Sequence, residues 1–155
     1  MSAAGQLRPD RKLELRLWLR MLACTGRIER TIRSRLREEF DTTLPRFDVL
    51  AQLDRAPEGL TMGALSGRLM VSAGNVTGLV NRLAEEGLVA TSRLPEDRRT
   101  QVVRLTAEGK RAFDRKTPVH EGWIDEMLSG LNQGEAESLY ALLGKVRSGL
   151  GERAG

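Results

Sequence analysis

Only one stretch of this chain reads as β-structure, and it follows directly on a pair of short helices. Leu88–Leu94 (L-V-A-T-S-R-L) and Thr100–Leu105 (T-Q-V-V-R-L) have the composition of strands. Pro95-Glu96-Asp97-Arg98-Arg99 joins them, so the two segments read as a β-hairpin. Arg93, Arg98 and Arg99 surround its Pro-Glu-Asp corner, and Arg104 follows on the second strand. A basic hairpin tip held out into water needs an anionic partner or carboxylates of its own. Everything around the hairpin reads as helix, so the fold class is mainly α with one small β-hairpin.

The helices are legible from apolar spacing. Leu13, Leu17, Met21, Ile28, Ile32, Leu36 and Phe40 recur mostly at steps of four and predict one long helix over residues 12–40. Asp41–Arg46 (D-T-T-L-P-R) ends it, and Pro45 fits the first turn of a second helix with Phe47, Leu50 and Leu53 on one face. Ala56–Gly59 is a turn. Thr61 is placed to cap a third helix over 62–69, and Ser72 to cap a fourth over 73–87. Val76, Leu79, Val80 and Leu83 form the buried stripe of the fourth, and Gly87 fits its stop. Thr106 starts a fifth helix that runs to about Ser129, with Pro118 expected to kink it or to start a new segment. Asn132, with Glu135 three residues later, starts a sixth whose stripe is Leu139, Leu142, Leu143, Val146 and Leu150.

Three short helices followed by a hairpin make a winged helix, here residues 44–106. The segments 12–40 and 107–150 carry apolar stripes too long for that small module to cover. A second copy of the chain is the simplest cover, so these segments are expected to be dimerisation helices of a single-domain chain.

Several function classes drop out on inventory. One cysteine and one histidine, Cys24 and His120, give neither an internal disulfide nor a metal site. No Ser-His-acid or Cys-His spacing, glycine-rich phosphate loop or pair of carboxylates in an apolar setting is present, so no enzyme and no cofactor are expected. The N-terminal residues lack the apolar run of a signal peptide, and no segment approaches the roughly 18 apolar residues of a membrane span. A cytoplasmic protein without a membrane partner is expected. The net charge of +4 and pI near 9.8 suit a polyanionic partner.

Leu60–Gly87 is a helix-turn-helix pattern linked at Met70–Val71. Its second helix offers Ser72, Asn75, Thr77 and Gly78 early, with Asn81 and Arg82 one turn on. Small side chains let a backbone sit deep in a major groove, where Asn can read adenine and Thr can meet a thymine methyl. Arg93, Arg98 and Arg99 of the hairpin then suit a minor groove, with Asp97 orienting Arg99. A winged helix used for protein interaction, without specific DNA binding, is the competing reading.

The combined pattern N-V-T-G-L-V-N-R-L-A-E-E-G-L-V, then E-D-R-R-T-Q-V-V-R-L-T-A-E-G, resembles the MarR (multiple antibiotic resistance regulator) family of dimeric transcription factors. The shared hallmark is D-x-R, a short strand and L-T-x-x-G, carried here by Asp97, Arg99, Leu105, Thr106 and Gly109. The resemblance covers about residues 12–150. It implies a winged-helix homodimer joined through its first and last helices and bound to an imperfect palindrome in double-stranded DNA, usually near its own promoter. It places Asn75, Thr77, Asn81 and Arg82 in the recognition helix and Arg99 at the wing tip. Many members carry a long, often basic residue where this chain has Gly78.

L-W-L-R-M-L-A-C-T-G-R-I-E-R with T-T-L-P-R-F-D-V-L-A-Q-L further resembles a MarR subgroup linked to aromatic-acid catabolism. That resemblance implies a repressor released by a small aromatic acid or an aromatic acyl-CoA thioester. Arg30, Arg33 and Arg37 share a helix face and are either solvated or an anion site, since guanidinium groups grip phosphates bidentately. Trp18, His120 and Trp123 either border an acyl group or pack in the core and dimer contact. Cys24 offers a redox-responsive alternative, although a buried, inert thiol is the commoner fate.

Overall fold

The computed structural model describes residues 9–69 and 75–151. Helix α1 (Pro9–Phe40) comes first, then α2 (Leu44–Asp54), strand β1 (Leu60–Thr61), α3 (Met62–Arg68) and α4 (Val76–Glu85). Strands β2 (Val89–Arg93) and β3 (Gln101–Leu105) form the hairpin, and α5 (Ala107–Met127) and α6 (Gln133–Gly149) complete the chain. The fourth helix was expected from residue 73 with a Ser72 cap; both positions lie outside the described residues, and α4 is described from Val76.

Helix α1 changes environment along its length. Ile32 and Leu36 are buried and Ile28 and Phe40 are partly buried, so the C-terminal half belongs to the core. Leu13, Leu15, Leu17, Trp18, Leu19 and Leu22 of the N-terminal half are exposed. Asp41 ends the helix at φ 49, a left-handed conformation that Asp tolerates better than most residues. Its N–H donates to the Arg37 carbonyl, and that of Thr42 to the Leu36 carbonyl. One residue on, the Thr43 hydroxyl accepts from the Arg46 N–H and starts α2, with Pro45 in the first turn.

The hairpin has an extra neighbour that the sequence reading did not include. Leu60–Thr61 pairs with β3, giving an antiparallel sheet of order β1-β3-β2 in which Leu60 faces Val103. Thr61 also caps α3 through Ala64, so one residue ends a strand and starts a helix. The core between sheet and helices holds Leu36, Val49, Leu53, Leu65, Val80, Leu83 and Val103, all nearly free of solvent.

The junction after the recognition helix is tightly specified. Gly87 (φ 77) stops α4, with Gly87 N–H donating to Ala84 and Leu88 N–H to Leu83, the paired bonds of a Schellman end. Thr106 then ties the hairpin shut: its N–H donates to the Leu88 carbonyl and its hydroxyl to the Gly87 carbonyl. The same hydroxyl accepts from Gly109 N–H at the start of α5. A Cβ on Gly109 would run into the Leu88 carbonyl, so glycine is required where α5 passes over the strand.

Helix α5 does not start afresh at Pro118. It runs through it, although proline has no N–H for the i−4 carbonyl. One residue earlier the Thr117 hydroxyl donates to the Phe113 carbonyl, adding a side-chain bond on the turn before the proline. Helix α6 has a full capping box between Asn132 and Glu135, yet none of its residues is buried. Leu139, Leu142, Leu143, Val146 and Leu150 all face out.

Gly109→Ala is expected to destabilise the fold by about 1–3 kcal/mol through overpacking. At roughly 2–4 °C per kcal/mol for a chain of this size, thermal unfolding should show Tm several degrees lower. An unchanged Tm would mean that the close approach over Leu88 is not a constraint.

Candidate nucleic-acid interface and the adjoining pocket

Helix α4 divides its residues by face. Val76, Val80 and Leu83 are buried, whereas Asn75, Thr77, Asn81 and Arg82 are exposed. A helix held from behind by its apolar stripe presents the other face as a rigid unit. Two links stiffen that mounting: Arg46 of α2 pairs with Glu86 just past α4, and Lys110 of α5 pairs with Asp54 at the end of α2. Among the DNA-contact residues expected from sequence, only Ser72 lies outside the described residues.

The wing tip is closed by its own backbone. Leu94 N–H donates to the Thr100 carbonyl (3.1 Å) and Thr100 N–H to the Asp97 carbonyl (3.0 Å). Asp97 organises what remains. Its Oδ1 accepts from the Arg99 N–H (3.1 Å) and Arg99 Nε (3.3 Å), and its Oδ2 from the Thr100 hydroxyl (3.1 Å). The Arg99 backbone N–H and guanidinium, with Thr100, hold the Asp97 carboxyl below the ordinary aspartate value of 3.8. Arg99 remains 94% exposed, so Asp97 sets its direction without hiding its charge. Arg93 donates to the Arg98 carbonyl and braces the loop from the strand side. Arg104 serves elsewhere, donating to the Glu58 carbonyl ahead of β1.

Beside α4 lies a cavity of about 680 Å³. Its walls are Arg33, Ser34 and Arg37 of α1, Thr42–Pro45 of the α1–α2 link, Leu69, and Asn75, Val76, Leu79 and Arg82 at α4. The floor is apolar and the guanidinium groups come from two different elements. Arg33 pairs with Glu29, whereas Arg37 and Arg82 have no carboxylate partner among the described residues. Such a site suits an anion with an apolar body.

The candidate ligand residues therefore divide. Arg33 and Arg37 meet in the cavity; Trp18, Arg30, His120 and Trp123 are not among its walls. Trp123 is 4% exposed and packs on Phe40 at 5.8 Å, with Arg35 over its ring, so it is a core residue. His120 packs against Phe47 with ring centroids 4.7 Å apart, and burial pushes it below the usual 6.5. Trp18 lies on the exposed half of α1, fifteen residues and about 22 Å along the helix from Arg33. Cys24, expected to be buried, is exposed on that same half.

The sequence predicted Asn75 and Arg82 as DNA contacts, and both also line the cavity. Ser34, Thr42, Thr43, Leu44, Pro45, Leu69 and Leu79 had no predicted site role. The T-T-L-P-R segment is the signal that pointed there, as a helix stop followed by a proline start.

Comparison with known proteins decides the family. Residues 40–100 match the model of the MarR family. The chain is 34% identical to a MarR family transcriptional regulator from Silicibacter pomeroyi, whose crystal structure superposes with a TM-score of 0.74 over 90% of this chain and 97% of that one. The chain belongs to the MarR family.

An uncharacterized HTH-type transcriptional regulator of Bacillus cereus (strain ATCC 10987 / NRS 248) is 30% identical over 134 residues, 84% of this MarR-family chain and 86% of the relative. The fold is shared more widely. Bordetella bronchiseptica BpsR, whose DNA binding is regulated by 6-hydroxynicotinic acid, is 24% identical with a TM-score of 0.71, over 82% of this chain and 89% of that one. This MarR protein is thus a DNA-binding transcriptional regulator built as a winged helix. No helix among the described residues is long and apolar enough to cross a membrane.

The depressed Asp97 value has a checkable sign. A lowered carboxylate pKa means that the wing-tip bonds are present above the ordinary value and are lost only as pH falls through the lower, folded one. An NMR titration should place the Asp97 midpoint below 3.8, and Arg99→Ala should move it back up.

Proposed function

We propose that this regulator is a homodimeric repressor that binds a palindromic operator and is released by an aromatic acid or its CoA thioester. One observation carries the reading: Asn75 and Arg82 belong at once to the exposed face of α4 and to the wall of the α1–α4 cavity. A ligand that draws Arg82 and Asn75 towards Arg33 and Arg37 differs in affinity between DNA-competent and DNA-incompetent arrangements. That difference is what a ligand needs to shift a population.

Asn75, Thr77, Asn81 and Arg82, with Ser72 preceding them, read the major groove. Arg93, Arg98 and Arg99 serve the minor groove under Asp97. Residues 12–40 and 107–150 pair with those of a second chain, which would cover Leu13, Leu17, Leu22, Leu139, Leu143 and Leu150, all exposed in the single chain. Two-fold symmetry then sets the recognition helices about 34 Å apart, one helical turn of DNA. The class of effector follows from the cavity: its apolar walls suit a ring, its arginines suit carboxylate or phosphate, and its size falls in the usual range for small-molecule sites. BpsR supports the reading as a protein of the same fold whose DNA binding answers to an aromatic acid.

Two measurements test this. In fluorescence anisotropy with DNA from upstream of its own gene, log Kd should rise with log salt at a slope of about 0.9 per phosphate contact. Arg99→Ala should cost about 1–3 kcal/mol of binding. A flat salt response and equal binding to scrambled DNA would favour the protein-interaction reading instead. In thermal-shift titrations, benzoate and benzoyl-CoA represent the acid and thioester classes. Stabilisation by either, lost in Arg33→Gln/Arg37→Gln, is the expected result; a shift that survives the double substitution places the effector elsewhere. A Cys24→Ser protein that still releases DNA on peroxide treatment would exclude a redox switch at that thiol.

A further inference from the structure

Asn75 stands at the N-terminal edge of α4, where an asparagine side chain ordinarily accepts a hydrogen bond from an N–H of the first turn. It makes no such bond here. Its carboxamide lies forward along the helix, over Gly78. A Cβ built on Gly78 would stand 2.5 Å from Asn75 Oδ1 and 3.8 Å from Arg82 Nη2. Asn75, Gly78 and Arg82 share one face of α4 by their spacing. Two exposed polar side chains thus converge over the one residue between them that has no side chain, at the rim of the α1–α4 cavity.

We infer that Gly78 is a positioning residue for DNA recognition: the space left by its missing side chain is the resting place of the Asn75 carboxamide, which must leave it to reach a base. Every larger residue would drive Asn75 out, because the atom met is the free end of a short, mobile side chain and nothing else within reach is tighter. Gly78 therefore keeps a fraction of the free protein in a form whose Asn75 is turned away from DNA. The apparent affinity is weakened by that fraction, and removing the resting place removes the penalty. The inference rests on the reading of Asn75 as a base contact and is independent of the effector.

A double-mutant cycle isolates it. The wild-type chain, Gly78→Ala, Asn75→Ala and the double variant are titrated by anisotropy against one duplex, selected by the wild-type protein from a random-sequence pool. Gly78→Ala also favours helix, so Tm is recorded for all four proteins to confirm folding. The expected result is that Gly78→Ala tightens binding at least threefold when Asn75 is present and leaves Kd unchanged when residue 75 is alanine. In 15N spectra of the free protein, the Asn75 side-chain amide signals should also move in Gly78→Ala. Equal tightening in both backgrounds would assign the effect to helix propensity and overturn the inference. Equal weakening would mean that glycine serves close approach to DNA, which overturns it too, as would no change in either background. If Asn75→Ala alone leaves Kd unaltered, the base-contact reading fails with it; if Asn75→Ala weakens binding but the cycle shows no coupling, only the role of Gly78 falls.

Discussion

The structure turns on the contact between the Gly109 backbone and the Leu88 carbonyl. Three elements meet within a few residues: the end of the recognition helix, the base of the wing and the start of α5. Thr106 supplies the bonds, to Leu88, Gly87 and Gly109. Gly109 supplies the room. These bonds and this close approach tie the start of α5 to the base of the wing and the end of α4. Packed interfaces switch between discrete arrangements instead of bending smoothly, which suits such a unit to control.

Charge is distributed by the same economy of elements. At the wing tip Asp97 holds Arg99 and leaves the guanidinium facing water. The cavity is lined by arginines from α1 and α4 together with apolar side chains, with Glu29 paired to only one of them. In the proposed function an anion held there would bridge the two elements, so one helix would serve both the DNA face and the pocket.

Much of this was legible in the residues. Thr61, Thr106 and Asn132 announced helix starts, Gly87 announced a stop, and the apolar stripes found the core faces of α2 and α4. These signals are local, and the chemistry of a cap does not depend on distant neighbours. Strand β1 was not legible, because two residues carry no periodicity and Leu60–Thr61 becomes a strand only when β3 lies beside it. Of the two readings of Pro118, a kink or a new start, the new start does not occur, since α5 runs through the proline. For the candidate site, Arg30, Arg33 and Arg37 were rightly grouped on one face of α1. Which of them face a cavity depends on where the Thr42–Pro45 link crosses the helix, and that is a tertiary fact. Trp123 and His120 were left open between a ligand and packing, and in the fold their rings pack on Phe40 and Phe47.

Helix α6 carries a consequence of a different kind. With a well-made cap and no buried residue, it is ordered by local bonds alone in the single chain. A 17-residue helix in water is close to the limit of independent stability. In the proposed dimer the missing burial comes from the second chain, so folding of the chain end and assembly become one equilibrium governed by mass action. The copy number of the regulator then sets two quantities at once: how many operators are filled, and how much of each molecule is structured enough to escape proteases. As the level falls, a growing share of the protein would remain as loosened single chains.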